Sequence, residues 1–154
     1  MQIRFLNPYD EAARALLAQS DALMASRYPP ASQPLGDPRV LAGPEVLFLG
    51  VWLSEWLAGC AGVRPQQDAD GDYGEIQRVF VRREFRRRGL STLLIGRLED
   101  HMRRRGVHLA RLAAGVHQPE ALALYESLGY VRRGPFGDHG HHPLSVFMEK
   151  RLDG

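Results

Sequence analysis

Hydrophobic and polar positions along this chain recur with two periods, and the switches between them mark out its elements. Gln2 to Leu6 predicts a short strand. From about Asp10 to Ser26, Ala13, Leu16, Leu17, Leu23 and Met24 recur at helical spacing, with Asn7-Pro8 or Asp10 able to open the helix. Tyr28 to Pro38 then holds four prolines in eleven residues, which forbids regular structure over most of it and predicts an ordered loop or broken helix on a site rim. Glu45 to Ser54 and Trp56 to Arg64 predict a hairpin turning near Ser54-Glu55. Asp68 to Asp72 reads as a polar turn, and Tyr73 to Arg82 as a strand with strong alternation.

The second half repeats the scheme. Leu90, Leu93, Leu94, Leu98 and Met102 form the apolar stripe of a helix from about Arg88 to Arg105, ended by Gly106. Val107 to Val116 is a strand, and Pro119 to Leu128 a helix with proline in its first turn and Gly129 after its last. Tyr130 to Phe136 and Leu144 to Leu152 close the pattern as strands around a polar, histidine-bearing loop. Strands and helices interleave without an internal repeat, so the expectation is one mixed α/β domain over residues 1–154. A chain of 154 residues with 44% hydrophobic composition can bury one core. Its longest apolar run, Val46 to Leu53, has the length of a strand and not of a membrane span, and the first residues carry no secretion signal. One cysteine, Cys60, lies in an apolar stretch with no histidine paired to it, which favours a core role and a reducing cytoplasm.

Charge changes the picture. The net charge is only +2, but Lys150 is the one lysine, and over half of the arginines fall between Arg78 and Arg111. The densest run, Arg82-Arg83-Glu84-Phe85-Arg86-Arg87-Arg88-Gly89, connects a strand to the start of a helix. A helix N-terminus presents unpaired N–H groups and the positive end of the macrodipole, so arginines placed there oppose it by roughly 0.3–1 kcal/mol each when exposed. Arg86, Arg87 and Arg88 make sense if an anion sits at that end, where amides, dipole and guanidinium groups attract the same ligand. Gly89 lets the backbone approach it closely. Phosphate is the obvious anion, yet no Gly-Lys-Ser/Thr and no G-x-G-x-x-G accompanies the run. A nucleic-acid partner is disfavoured, because net charge is low and no stacking surface or recognition helix goes with the arginines. Arg103-Arg104-Arg105 ends its helix, where cations are favourable.

The strand Glu75-Ile76-Gln77-Arg78-Val79-Phe80-Val81 with the following Arg86-Arg87-Arg88-Gly89-Leu90-Ser91 resembles the GNAT superfamily of acetyl-CoA-dependent N-acetyltransferases, whose signature is Arg/Gln-x-x-Gly-x-Gly/Ala. Gln118-Pro119-Glu120-Ala121-Leu122-Ala123-Leu124-Tyr125-Glu126-Ser127-Leu128-Gly129-Tyr130 resembles the family's Asn-x-x-Ala-x-x-Leu-Tyr-Glu-x-x-Gly-Phe, with Gln118 replacing the asparagine. The resemblance is strong from about Glu45 to Leu152, and the ending resembles a bacterial subgroup of small acetyltransferases. It implies a central, mostly antiparallel seven-stranded sheet flanked by about four helices and splayed at the strands ending near Val81 and Val116. It also implies acetyl-CoA as cosubstrate, without a metal. Val79, Phe80 and Val81 would meet the pantetheine arm, and Arg86 to Thr92 (Arg86, Arg87, Arg88, Gly89, Leu90, Ser91, Thr92) would meet the pyrophosphate, with Gln118 beside the arm. Glu75 is implied as the general base and Tyr125 as the general acid. A phenol of pKa near ~10 stays protonated at neutral pH and can donate to a departing thiolate of about 8.5.

The implied acceptor is a primary amine, of a small molecule before a protein or peptide, entering past Tyr28, Gln77 and His139. A homodimer is left open, and a CoA-binding regulatory domain without catalysis stands as the alternative. His139, His141 and His142 share one glycine-containing loop with no second ligand cluster, so a solvated or substrate-facing loop is favoured over a metal site.

Overall fold

Period-two patterning sends apolar side chains of the central strands to both faces of one sheet, and helices cover each face. The computed structural model describes residues 1–28, 38–137 and 143–153. In chain order the elements are β1 (Gln2–Phe5), α1 (Glu11–Arg27), α2 (Pro38–Leu41), β2 (Leu47–Leu53), β3 (Trp56–Asp68), β4 (Gly71–Val81), α3 (Leu90–Arg104), β5 (Leu109–Gly115), α4 (Pro119–Ser127), β6 (Val131–Arg133) and β7 (Ser145–Arg151). A single 3-10 turn, Arg83–Phe85, links β4 to α3. The strands form one seven-stranded sheet in the order β1-β2-β3-β4-β5-β7-β6. All neighbours are antiparallel except β4 and β5. The mixed α/β expectation therefore holds.

On β2, Leu47, Leu49, Val51 and Leu53 pack with α3, whereas Phe48 and Trp52 pack with α1. Leu94, Ile95 and Leu98 of α3 are fully buried, each contributing about 1.5–3 kcal/mol of transfer free energy. That anchorage holds the N-terminus of α3 in place relative to the sheet. Ala13, Leu16 and Leu17 fix α1 on the other face. No helix among the described residues is long and apolar enough to cross a membrane.

Two features of the sheet shape the site. First, β4 and β5 pair only at Gly74↔Ala110 and Glu75↔Arg111, and beyond Glu75 the two strands part. The implied splay is present. Second, β4 carries a bulge: Gln77 pairs with Gly62 and Phe80 with Cys60, so Arg78 and Val79 together face Ala61. Arg78 has φ 56°, a conformation costly for a residue with a Cβ. Its carbonyl accepts the Cys60 thiol at 3.3 Å and its Nη1 donates to Asp21 of α1 at 2.7 Å. The extra residue reverses parity. Ile76, Val79 and Val81 consequently share the α3 face, and Phe80 packs with α1. The unbroken alternation expected from Tyr73 to Arg82 is thus corrected, because a bulge leaves no mark in a hydrophobic pattern this short.

Element ends differ in smaller ways. The polar turn is tighter than expected: β3 and β4 run on until Asp68 faces Gly71, since Asp68 Oδ1 accepts the Asp70 N–H at 2.8 Å and Arg111 binds both carboxylates. β6 is only three residues long, because Phe136 leaves the strand line to pack edge-on against Tyr73 and Phe147. A short helix, α2, begins at Pro38, where proline suits a first turn. The rest of the proline-rich segment, 29–37, and the loop 138–142 lie outside the described residues, and His139, His141 and His142 with them.

Candidate active site

The N-terminus of α3 is built to hold an anion. Gly89 is its N-cap with φ 73°, no side chain caps the helix, and its first turn carries no acidic residue. Arg87 also has positive φ (65°), so left-handed residues alternate with Arg88 between them. That alternation turns successive N–H groups toward one concavity, an arrangement that binds anions. A Cβ at Gly89 would meet nothing within 4 Å, so the cradle is open there. A cleft of about 720 Å³ lies over it, lined by Val81, Arg83, Phe85, Arg86, Arg87 and the helix start Gly89 to Thr92, with Glu120 and Leu124 of α4 opposite.

Two further lobes join this cleft, and all three share Arg86 and Glu120. A narrow passage of about 170 Å³ follows the splay, lined by Val79, Phe80, Val81, Ser91, Gln118, Ala121 and Tyr125, with Leu23 and Arg27 of α1. A third lobe of about 500 Å³ lies toward α1, adds Gln19 and shares Arg83 with the first cleft. The edge of β4 that faces the passage is the one the splay frees from β5. Arg86 is fixed at the junction: its Nε donates to the Val81 carbonyl at 3.0 Å and its guanidinium lies 5.6 Å from the Phe80 ring centre.

Tyr125 is 7% exposed, and its hydroxyl makes no hydrogen bond among the described residues. Burial pushes its phenol up to about 12. Behind it, the Tyr130 ring meets it at a steep angle, centroids 6.1 Å apart, and the Tyr130 N–H donates to the Tyr125 carbonyl at 3.0 Å. Tyr130 in turn donates to Glu99 of α3 at 2.8 Å, and Lys150 donates to the same carboxylate at 3.1 Å. Burial and the Glu99 charge raise the Tyr130 pKa steeply, which keeps that hydroxyl a donor. The buried Glu99 joins α3 to the tyrosine pair.

The other candidates separate. Glu75 is 8% exposed, faces the side of Tyr73 by alternation, and sits in register with Arg64 and Arg111; it does not line the three lobes. Gln77 is half-buried on that same side, ahead of the bulge. Arg88 does not line the cleft; its guanidinium lies 5.6 Å from the centre of the Phe85 ring, which does. Gln118 lines the passage but does not cap α4; its Oε1 accepts the Gly115 N–H at 3.3 Å. Tyr28 is buried, and its oxygen accepts the His117 N–H at 2.9 Å while Arg27 donates to the His117 carbonyl at 3.1 Å. These bonds tie the end of α1 across the splay, and a methyl at Gly115 would overlap the Tyr28 hydroxyl. Cys60 is fully buried and its thiol is pushed up to about 12 by desolvation, so it is inert as a nucleophile. Among the described residues no cluster of metal-ligating side chains is present.

Sequence reasoning missed Arg27, Arg83, Leu23 and Glu120. Glu120 lay inside the second motif and Arg83 in the arginine run ahead of the first, so both could have been flagged. Leu23 and Arg27 carry no sequence signal, since only the docking of α1 brings them to the passage.

The acetyltransferase (GNAT) family model matches residues 13–130. The protein named IAA acetyltransferase from Azospirillum brasilense is 37% identical over 146 residues, covering 95% of this chain and 94% of that one. A crystal structure described as an acyl-CoA N-acyltransferase from Klebsiella pneumoniae superposes with TM-score 0.78 at 32% identity, over 99% of this chain and 97% of that one. The PaiA N-acetyltransferase of Thermoplasma acidophilum, solved with coenzyme A, shares the fold at TM-score 0.74 and 19% identity, over 97% of this chain and 98% of that one.

Proposed function

This chain belongs to the GNAT acetyltransferase family and is an acetyl-CoA-dependent N-acetyltransferase, and on that premise we propose that its acceptor is a small-molecule amine and that Tyr125 and Glu75 handle the protons. One observation carries the reading. An uncapped, carboxylate-free helix start with alternating left-handed residues opens directly into a passage that ends on a buried, protonated phenol. The residues present fit the cosubstrate: amides of Gly89 to Thr92 with Arg86 and Arg87 suit a pyrophosphate, and the free edge of Val79 to Val81 suits the pantetheine amides.

When bound, acetyl-CoA supplies an acetyl thioester whose carbonyl carbon the amine can attack. This chain's residues then have three tasks. The Tyr125 O–H points its dipole at charge developing on sulfur, in a site where water is excluded and such a bond is worth more. Glu75 takes the proton of the incoming ammonium through water, since it sits on β4 three residues ahead of Arg78 and outside the passage. Tyr28 and Arg27 close the passage from the α1 side.

The test is thiol release from acetyl-CoA with a panel of small amines and peptides. We expect turnover with small amines and acetyl-CoA binding that weakens with added salt. Glu75→Gln should lose most activity near neutral pH and recover part of it at high pH, where more acceptor is already neutral. Binding of acetyl-CoA without acetylation of any amine or peptide would leave a CoA-binding regulatory domain as the better account.

A further inference from the structure

The third lobe of the cavity shares Arg83, Arg86 and Glu120 with the phosphate cleft and adds Arg27 and Gln19 on the α1 side. It opens on the α1 face of the sheet: Phe80, part of its wall, packs with Leu16 and Leu17, whereas Val79 and Val81 pack with α3. The helix start that suits pyrophosphate is lined by a different cleft. The lobe reaches Tyr125 by way of Leu23, Arg27 and Phe80, which it shares with the passage. A molecule entering here arrives from the face opposite α3.

Its walls carry three guanidiniums, Arg27, Arg83 and Arg86, and one carboxylate, Glu120. Arg78 is neutralised by Asp21 at 2.7 Å, Arg111 by Asp68, Asp70 and Glu149, and Arg133 by Glu149 at 2.6 Å, whereas the half-buried Arg64 and Arg82 form no ion pair among the described residues. Among the described residues, none of the three around the lobe has a carboxylate within ion-pairing distance. Arg27 spends one N–H on the His117 carbonyl and Arg86 one on the Val81 carbonyl, which fixes both heads and leaves their remaining donors available. Like charges gathered round a cavity repel, and an anionic ligand relieves that repulsion.

We propose that this lobe selects an acceptor amine carrying its own anionic group, a carboxylate or a phosphate, which Arg27 and Arg83 hold while the ammonium faces Glu120. The inference rests on the acetyltransferase reading above and names the acceptor's class: a zwitterionic amine.

Calorimetry on the full chain saturated with CoA tests it, because the phosphate cleft is then filled. The probes are two matched pairs, 4-aminobutyrate against butylamine and phosphoethanolamine against ethanolamine. In at least one pair the anionic member should bind about tenfold or more tightly than its neutral partner, and the pair that discriminates tells carboxylate from phosphate. Arg27→Gln should erase that preference with a much smaller effect on CoA, and Arg27→Lys should retain part of it. Equal affinities within both pairs, binding of neither member, or a loss of CoA affinity as large as the loss of probe affinity would each overturn the proposal. Thiol release from acetyl-CoA with the same amines is scored separately. Selective binding without turnover leaves this inference standing and removes the assigned catalysis, and turnover indifferent to the anionic group does the reverse.

Discussion

Replacing Tyr125 by phenylalanine keeps the ring against Tyr130 and deletes one hydroxyl, so its effect isolates the proton donor. An ordinary phenol near 10 could hand its proton to a thiolate of about 8.5 at modest cost. Burial pushes this one up to about 12. Full transfer is then uphill by about 3.5 pKa units, or about 5 kcal/mol. A donor that weak acts chiefly as a hydrogen bond to developing charge, which contributes about 1.5–3 kcal/mol. At about 1.36 kcal/mol per decade, Tyr125→Phe should lower kcat roughly 10- to 150-fold. Acetyl-CoA affinity should change little, because the hydroxyl has no hydrogen-bond partner among the described residues to lose. The assay is thiol release at saturating acetyl-CoA across pH, with calorimetry for binding. Burial favours the neutral phenol, so the donor persists until pH approaches the raised value, and the parent should show no loss of the acid below about pH 10. An unchanged kcat would remove Tyr125 from the chemistry. A loss beyond about 10³-fold would mean complete proton transfer in the rate-limiting step and would refute the hydrogen-bond reasoning.

Gly89→Asp places a side chain and a negative charge in the open cradle at a left-handed position; acetyl-CoA affinity measured by calorimetry should fall at least about 100-fold, while the backbone strain costs only about 1–2 kcal/mol in urea unfolding. Lys150→Met strips the nearer of two cations from the buried Glu99, leaving Arg103 at 4.0 Å, and should destabilise the fold by about 2–4 kcal/mol, with part restored by adding Glu99→Gln; a loss under about 0.5 kcal/mol in urea unfolding would show that the pair is not holding α3. The Asp70 N–H and Arg111 hold Asp68 below its usual range, and at Glu149 the bonds from Arg133 and Arg111 outweigh the upward push of burial. Depressed carboxylate values confer stability that is present above the ordinary range and lost as pH falls through the folded values, so urea midpoints should drop below about pH 4, and Arg111→Gln should flatten that drop.

The chain's local pattern settled a good deal. Helix period and the glycines at 89, 106 and 129 place α3 and α4, and arginines set against a helix dipole mark an anion site without any tertiary knowledge, because the conflict is written in adjacent residues. The family resemblance of Arg86 to Ser91 and of Gln118 to Tyr130 supplied the fold and the cosubstrate, which the family match and the sheet bear out.

What the tertiary structure decided concerns parity, distance and partners. The bulge at Arg78 turns Val79 and Val81 to the α3 face while Glu75 and Gln77 stay on the other, and strand alternation cannot announce an inserted residue. The splay exists because β5 pairs with β4 at two positions only, a fact about two segments some thirty residues apart. Tyr28, read as an acceptor contact, also ties α1 to His117, a bond no local pattern announces, and Arg27 lines the cavity only because α1 is tied across the splay. Periodicity reports which side of its own element a residue occupies. Which other element it meets, and whether its charge finds a partner there, is set by packing between segments remote in sequence, and those unneutralised arginines around the α1 lobe came into view only once the chain had closed around them.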